Sequence, residues 1–404
     1  LRMLFVFFLY QFLIMKIFFS YCLFFCALLT FGQTKDNFVL IDAKMAKIPK
    51  ASTKNTKSIA DYIATNFKSE NEKLRAAFFW VASNISYDVA NMENIEFSDT
   101  SEQKIDKTLT TRKGVCIHYA ELFNAIVSQL GFESEIIEGY TKQFGKVASL
   151  SHAWCAVKSE GKWLLFDPTW GAGSVNNGVF VKKLNNFYFK TPPKAMLETH
   201  MPFDYLWQLS RYPINNAEFI SGKVVANPTK PVFNFADEIE KLKQKTEEIK
   251  LFECISRVEA NGVSTKLIKD YLENKKNELS GKRNNQAVEK LNLIVEESNA
   301  ATAMFNDFIF YRNKKFKPTL SDDTIREMIA LPKAKVLKCQ KDLDSIGTLN
   351  DSNRATLSAF RKNLSELLVQ IEEQEKFVNE YLSKGKLARK SMFSKVTWFG
   401  LPVN

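Results

Sequence analysis

One stretch constrains this chain more than any other. A helix-length apolar period is followed at once by three strand-length runs. From Cys116 the apolar residues Ala120, Phe123, Ile126, Val127 and Leu130 recur at helical spacing, and Gly131 stands where a helix of that register would need a left-handed cap. Ser134–Tyr140, His152–Lys158 and Lys162–Phe166 then read as strands. The last two are separated by Ser159-Glu160-Gly161, which predicts a tight hairpin around Glu160-Gly161 with Ser159 opposite Lys162. A helix laid on an antiparallel sheet is the α+β arrangement such an order specifies.

Composition narrows the function classes. The 404 residues are 45% apolar and 25% charged, which excludes a disordered chain, a collagen-like chain and a polytopic membrane protein. Three histidines nearly exclude a multi-histidine metal centre, and six cysteines are too sparse for a disulfide scaffold. No calcium-loop pattern of alternating acidic residues is present, so neither cofactor nor metal is expected. The net charge of +11 comes without an aromatic-basic stacking pattern, so it reads as a lysine-rich solvated surface and not as a nucleic-acid partner site.

Residues 3–31 are almost continuously apolar. Met15-Lys16, the run Ile17–Leu29 and the small-residue exit Thr30-Phe31-Gly32 form the three parts of an export signal, so residues 1–32 are expected to be removed, with Met15 as the true start. The destination is then the periplasm, the cell surface or the medium, with no further membrane contact; an uncleaved anchor is the rival. Residues 33–95 are read as an N-terminal helical segment, with a patch around Ile59, Tyr62 and Ile63 and a helix over Asn71–Asn84. Residues 96–212 are read as the catalytic core, with 91–112 a polar loop and 171–235 largely irregular. Residues 213–236 would be a linker, and 237–404 a lysine- and glutamate-rich helical domain. There, one amphipathic helix spans Ile239–Ile255, another begins at Ser321-Asp322-Asp323 and is interrupted by Pro332, and Leu357 to Tyr381 forms a coiled-coil-like seam. That seam would pack inside its own bundle or serve self-association.

Three segments carry chemistry: Gly114-Val115-Cys116-Ile117-His118-Tyr119-Ala120, Ser151-His152-Ala153-Trp154 and Phe166-Asp167-Pro168-Thr169-Trp170. Cys116 sits in the first turn of its helix, where unpaired N–H groups favour a thiolate. His152 and Asp167 fall on one sheet face as diagonal neighbours. The order supplies a nucleophile, a base and a residue to orient the base. His118, two positions past Cys116, points about 200° away on a helix and reads as structural. Trp154 and Trp170 would wall the cleft or fill the core, and His200, in an aromatic loop, would line the cleft or, more in keeping with its setting, pack. Cys155 alternates to the face opposite His152, so a Cys116–Cys155 disulfide is not expected.

The same segments resemble the transglutaminase-like superfamily, and in wording its branch related to kyphoscoliosis peptidase. Arg75–Asp88, Gly161–Gly173, the run Phe187–Phe189 through His200-Met201-Pro202, and Trp207-Gln208-Leu209 extend the likeness over about residues 58–262. The resemblance implies a papain-like core, N-terminal helices packed on an antiparallel sheet, followed here by an all-α C-terminal region. It implies Cys116 as nucleophile, His152 as base and Asp167 as orienter, with Cys155 a departure where the branch has asparagine. The expected activity is that of a cysteine enzyme on protein or peptide amide bonds through a thioester, with hydrolysis favoured over cross-linking. The alternative is a non-enzymatic envelope scaffold that keeps the core for binding.

Overall fold

A computed structural model describes residues 34–92, 99–224 and 229–393. The expected export signal lies outside them. Among the described residues no helix is long and apolar enough to cross a membrane.

The first compact unit extends to Glu273. It opens with α1 (Thr34–Met45), α2 (Thr56–Asn66) and α3 (Glu70–Asn84), then a short β1 (Ser86–Tyr87), α4 (Ser101–Thr111) and β2 (Lys113–Gly114). The central helix α5 spans Cys116–Gln129. Its end is set by Gly131 at φ +88°, with Gly131 N–H donating to Ser128 O and Phe132 N–H to Val127 O, the paired bonds of a Schellman cap. Strands β3 (Ser134–Gln143), β4 (Lys146–Ser159) and β5 (Lys162–Phe166) follow, and after a short α6 (Pro168–Ala172) the chain forms a separate hairpin of β6 (Gly173–Asn176) and β7 (Val179–Lys182). A four-residue α7 (Pro193–Met196) leads to β8 (His200–Pro202). The main sheet is antiparallel with order β5-β4-β3-β8. Ser159 pairs with Lys162 across a turn whose Glu160 and Gly161 both have positive φ, the register expected from the sequence.

Alternation along β4 divides the core. Ala153, Cys155 and Val157 join Phe166 and the apolar faces of α3 and α5 in one cluster. Trp154 and Ala156 face the other way, with Ile137, Trp163, Leu165, Leu206 and Leu209. A partly buried ion pair ties the N-terminal helices to the core. Fully buried Arg75 on α3 holds Asp42 on α1 through Nε and Nη2 at 2.7 and 2.6 Å, donates Nη2–H to Asn186 at 2.8 Å, and lies 4.5 Å from the Phe38 ring.

Several expectations need correction. Residues 91–112 are not all loop. A capping box between Thr100 and Gln103 starts α4, whose apolar contribution is confined to Ile105 and Leu109 and left too faint a period to see. The polar stretch before residue 70 holds two helices, α1 and α2, and not one short patch. The stretch Ile239–Ile255 is two helices, α9 (Phe235–Lys243) and α10 (Glu247–Ala260), after a six-residue α8 (Asn216–Ser221); Thr246 caps the second by accepting from Ile249 N–H. Both belong to the first unit, which does not end at 236. Ile239 is buried in the Trp154 cluster, and Arg257 on α10 makes a two-bond pair with Asp204, both 2.7 Å.

The second unit begins at Asn274. It takes most of α11 (Lys266–Asn313), with α12 (Asp322–Leu343), α13 (Asp351–Ser383) and α14 (Lys386–Ser391). Pro332 does not interrupt α12; it lies buried inside a continuous helix. Ile325, Ile329, Val336, Cys339 and Leu343 are buried along α12, and this packing outweighs one lost backbone bond. On α13, Leu364, Ile371 and Val378 recur every seven residues and are buried in the bundle's own core.

Candidate active site

Three elements deliver the site. Strand β2 pairs in parallel with β1, placing Gly114 opposite Tyr87 just before α5 begins. Cys116 is the first residue of α5 and is 7% exposed. His118 turns away, as expected. Its Nδ1 accepts from Val115 N–H at 3.2 Å, so it caps the helix that carries Cys116, and burial pulls its pKa below the ordinary value. His152 sits in β4 opposite Gly139 of β3. Asp167 follows β5 as the N-cap of α6, one position beyond the Cys155–Phe166 end of the ladder.

The aspartate is held from four directions. Its Oδ1 accepts the backbone N–H groups of Thr169 and Trp170 at 2.8 and 3.0 Å. Its Oδ2 lies 2.8 Å from His152 Nε2 and 3.1 Å from His200 Nε2. Burial alone would push Asp167 up, yet the two imidazoles hold it well below the usual carboxylate range. Burial also works against a charged His152. The Asp167 carboxylate and its hydrogen bond, with the Cys116 thiol third, outweigh it and push His152 up to about 10. Since Nε2 is engaged by Asp167, Nδ1 is the ring nitrogen left for Cys116. The thiol itself lies 4.0 Å from Ser151 O.

A cavity of about 730 Å³ opens beside His152. Tyr87, Trp170, Phe180 and Tyr188 form an aromatic wall, and Lys142, Phe144 and Glu198 border it from the β3–β4 turn and the approach to β8. Phe144 is fully exposed at φ +50°, at the tip of that turn. Trp170 lines this cavity. Trp154 and His200 do not; they are buried at 1% and 0% exposure. Alternation puts Trp154 on the His152 face but two residues deeper in the sheet, where its ring stacks 6.1 Å from the His152 ring. His200 is enclosed by Trp170, Trp154 and Tyr188 at ring distances of 4.5, 5.2 and 5.9 Å. Sequence reasoning missed Tyr87 on the cavity wall and the bond from His200 to Asp167.

None of Cys116, Cys155, Cys254 and Cys339 is in a disulfide among the described residues. Cys155 is fully buried, its Sγ 3.5 Å from Ala120 O on α5, and burial raises its pKa well above the ordinary value. Among the described residues, His152, Asp167 and His200 could hold a metal ion, with ligand atoms within 4.8 Å of one another. Both imidazole Nε2 atoms already bond the same carboxylate oxygen, so an ion would have to displace both of those protons.

A helix-borne cysteine, a strand-borne histidine and an aspartate at the next helix N-cap, on an α+β core, fit a transglutaminase-like domain. Residues 57–168 match the transglutaminase-like superfamily model. Kyphoscoliosis peptidase of Mus musculus is 36% identical over 159 residues, 37% of this chain and 24% of that protein. Kyphoscoliosis peptidase of Homo sapiens is 34% identical over 181 residues, 42% of this chain and 27% of that protein. The chain thus spans about a quarter of the length of these curated relatives. Among solved structures, a TGase aligns at 19% identity and TM-score 0.26, covering 60% of this chain and 56% of that one. A cysteine protease candidate from Cytophaga hutchinsonii aligns at 20% identity and TM-score 0.23, covering 34% and 43%.

Proposed function

We propose that this chain is a thiol enzyme that cleaves amide bonds in polypeptides, with Cys116 as nucleophile, His152 as base and acid, and Asp167 as orienter. The observation that carries the reading is the His152 imidazole, bonded to Asp167 at 2.8 Å, with the Cys116 thiol among the groups that favour its charged form. An imidazole stabilised in its charged form beside a thiol at a helix N-terminus favours the thiolate–imidazolium pair. Attack of the thiolate on the amide carbon gives a tetrahedral oxyanion. His152 donates its proton to the leaving amine as the C–N bond breaks, and a thioester remains on Cys116. His152 then takes a proton from water, whose oxygen attacks the thioester carbon and releases the acid and the free thiol.

The backbone N–H of Cys116 is one oxyanion donor. We assign the second to the Tyr87 hydroxyl. Tyr87 borders the cavity, and Cys116 is among the groups acting on its phenol, which burial keeps protonated through the whole physiological range. Water as acyl acceptor is supported by the open cavity and by the name peptidase borne by the two curated relatives. Export is proposed on residues 1–32 alone.

The test is iodoacetamide labelling of the purified protein from pH 5 to 9, with the labelled cysteine located by mass spectrometry. Fast labelling of Cys116 at pH 6–7 that is lost in His152→Ala is the expected result. An ordinary thiol profile for Cys116, indifferent to His152, would refute the reading in favour of a binding scaffold.

A further inference from the structure

We propose that His200 is a positioning residue that acts through Asp167: neutral and locked in one tautomer, it fixes the carboxylate oxygen on which His152 depends. The inference rests on the ion-pair reading of Cys116 and His152 given above, and it assigns a role to a buried histidine that this reading does not use.

The hydrogen-bond inventory around His200 is closed. Its Nε2 lies 3.1 Å from Asp167 Oδ2, and its Nδ1 lies 2.8 Å from Thr199 Oγ1. An ionised carboxylate only accepts, so Nε2 must carry the hydrogen. Nδ1 is then an acceptor, and the Thr199 hydroxyl donates to it. The carboxylate selects this tautomer, and the Thr199 hydroxyl turns to donate and holds the other ring nitrogen in place.

Two features make this more than a satisfied core residue. First, Oδ2 is shared. The oxygen that receives His152 Nε2–H also receives His200 Nε2–H, while Oδ1 is filled by two backbone N–H groups. The carboxylate has no acceptor site left for water and no freedom to pivot away from His152. Second, His200 has to stay neutral. Its ring centroid lies 5.3 Å from that of His152, so a second imidazolium there would oppose the charge that His152 has to carry. The ionisable groups facing His200 are Asp167 at the start of α6, His152 on β4 and Tyr188 after β7. Burial is the strongest influence on it and keeps it below its ordinary pKa despite Asp167.

The test compares Cys116 labelling by iodoacetamide, at pH 6 and pH 9, in wild type, His200→Leu, His200→Gln and Thr199→Val. His200→Leu leaves Oδ2 with one donor. Its rate at pH 6 is expected to fall about tenfold, the size of a one-unit change in the balance between His152 and the thiol, while the rate at pH 9 stays within about twofold. Glutamine places an amide N–H near the position of Nε2, and His200→Gln is expected to recover the pH 6 rate to within about threefold of wild type. Thr199→Val is nearly isosteric and leaves Nδ1 without its donor, so the ring is held less firmly; an intermediate loss of about threefold, again confined to pH 6, is expected. A wild-type profile in Thr199→Val, or equal losses in His200→Gln and His200→Leu, overturns the proposal. The Thr199 arm holds even where the leucine variant does not fold. A wild type that shows no His152-dependent labelling fails the parent reading instead, and that outcome is separate because it is read without any His200 variant.

Discussion

Asp167→Asn tests the electrostatics of the site with almost no change in volume. In the native site, four donors converge on the carboxylate: two backbone N–H groups on Oδ1 and two imidazole N–H groups on Oδ2. An asparagine has one acceptor oxygen. If that oxygen stays with the backbone, its NH₂ faces His152 and His200, and both rings must present a bare Nε2. His200 can comply, because the Thr199 hydroxyl can rotate to accept from Nδ1. His152 then carries its hydrogen on Nδ1, toward Cys116, and has no lone pair there to take the thiol proton. The magnitude follows from the charge lost. Asp167 is the strongest of the groups, Cys116 among them, that raise His152 against burial from an ordinary 6.5 to about 10. That difference corresponds to a factor of ~10³ in preference for the imidazolium. Iodoacetamide labelling of Cys116 at pH 6.5 is therefore expected to slow by two to three orders of magnitude, with a smaller deficit at pH 9. The stability consequence has a defined sign. The raised histidine contributes stability that is complete below its unfolded pKa and is lost as pH rises through about 10; the depressed aspartate contributes above its unfolded pKa and is lost on acidification. Wild type should accordingly be most stable between the unfolded pKa values of the two groups, and Asp167→Asn, which lacks both contributions, should lose that maximum. Labelling of Asp167→Asn within about threefold of wild type at pH 6.5 would refute the coupling argued here.

Three further perturbations follow from the geometry. Tyr87→Phe removes only a hydroxyl from the cavity wall, so Cys116 labelling should stay near wild type while turnover of any peptide substrate falls by about 10–10³; equal loss in both readouts would point to a packing defect and not to an oxyanion donor. Arg75→Leu leaves the Asp42 carboxylate, whose side chain is only 17% exposed, without its partner, and chemical denaturation should show a loss of about 3 kcal/mol; a change under about 1 kcal/mol would mean the pair is dispensable. Gly139→Ala would put a Cβ 2.2 Å from Met201 O and 2.5 Å from the Trp154 ring, forcing β8 away from β3. The variant should lose about 1–3 kcal/mol and, because β8 carries His200, should also slow Cys116 labelling at pH 6; normal labelling would show that the β3–β8 spacing does not reach the site.

What was legible in the sequence follows from the range of the interactions. Helix α5, its glycine cap and the Ser159–Lys162 hairpin are local devices, readable from periodicity and turn chemistry, and the hairpin register places His152 and Asp167 within reach of each other. The same alternation sends Cys155 to the helix side and Trp154 to the other. Helix α4 escaped notice because its signal is a capping box with two apolar residues, and α12 defied Pro332 because tertiary burial outweighs local propensity. The least legible parts are the long-range polar ones. Arg75 meets Asn186 across 111 positions, and His200 meets Asp167 across 33. No period or turn signal announces either, since one polar residue in an apolar run looks the same whether it reaches solvent or a buried partner. Their placement is a consequence of strand order. Because β8 adds to β3 at Thr141↔His200 and Gly139↔Pro202, and β3 pairs Gly139 with His152, the residue that heads β8 is delivered beside the histidine of β4. The bare Gly139 backbone lets the strands approach closely enough for the two imidazoles to share one carboxylate oxygen. The polar centre of this domain is thus specified less by the segments that carry its side chains than by the sheet order that brings them together.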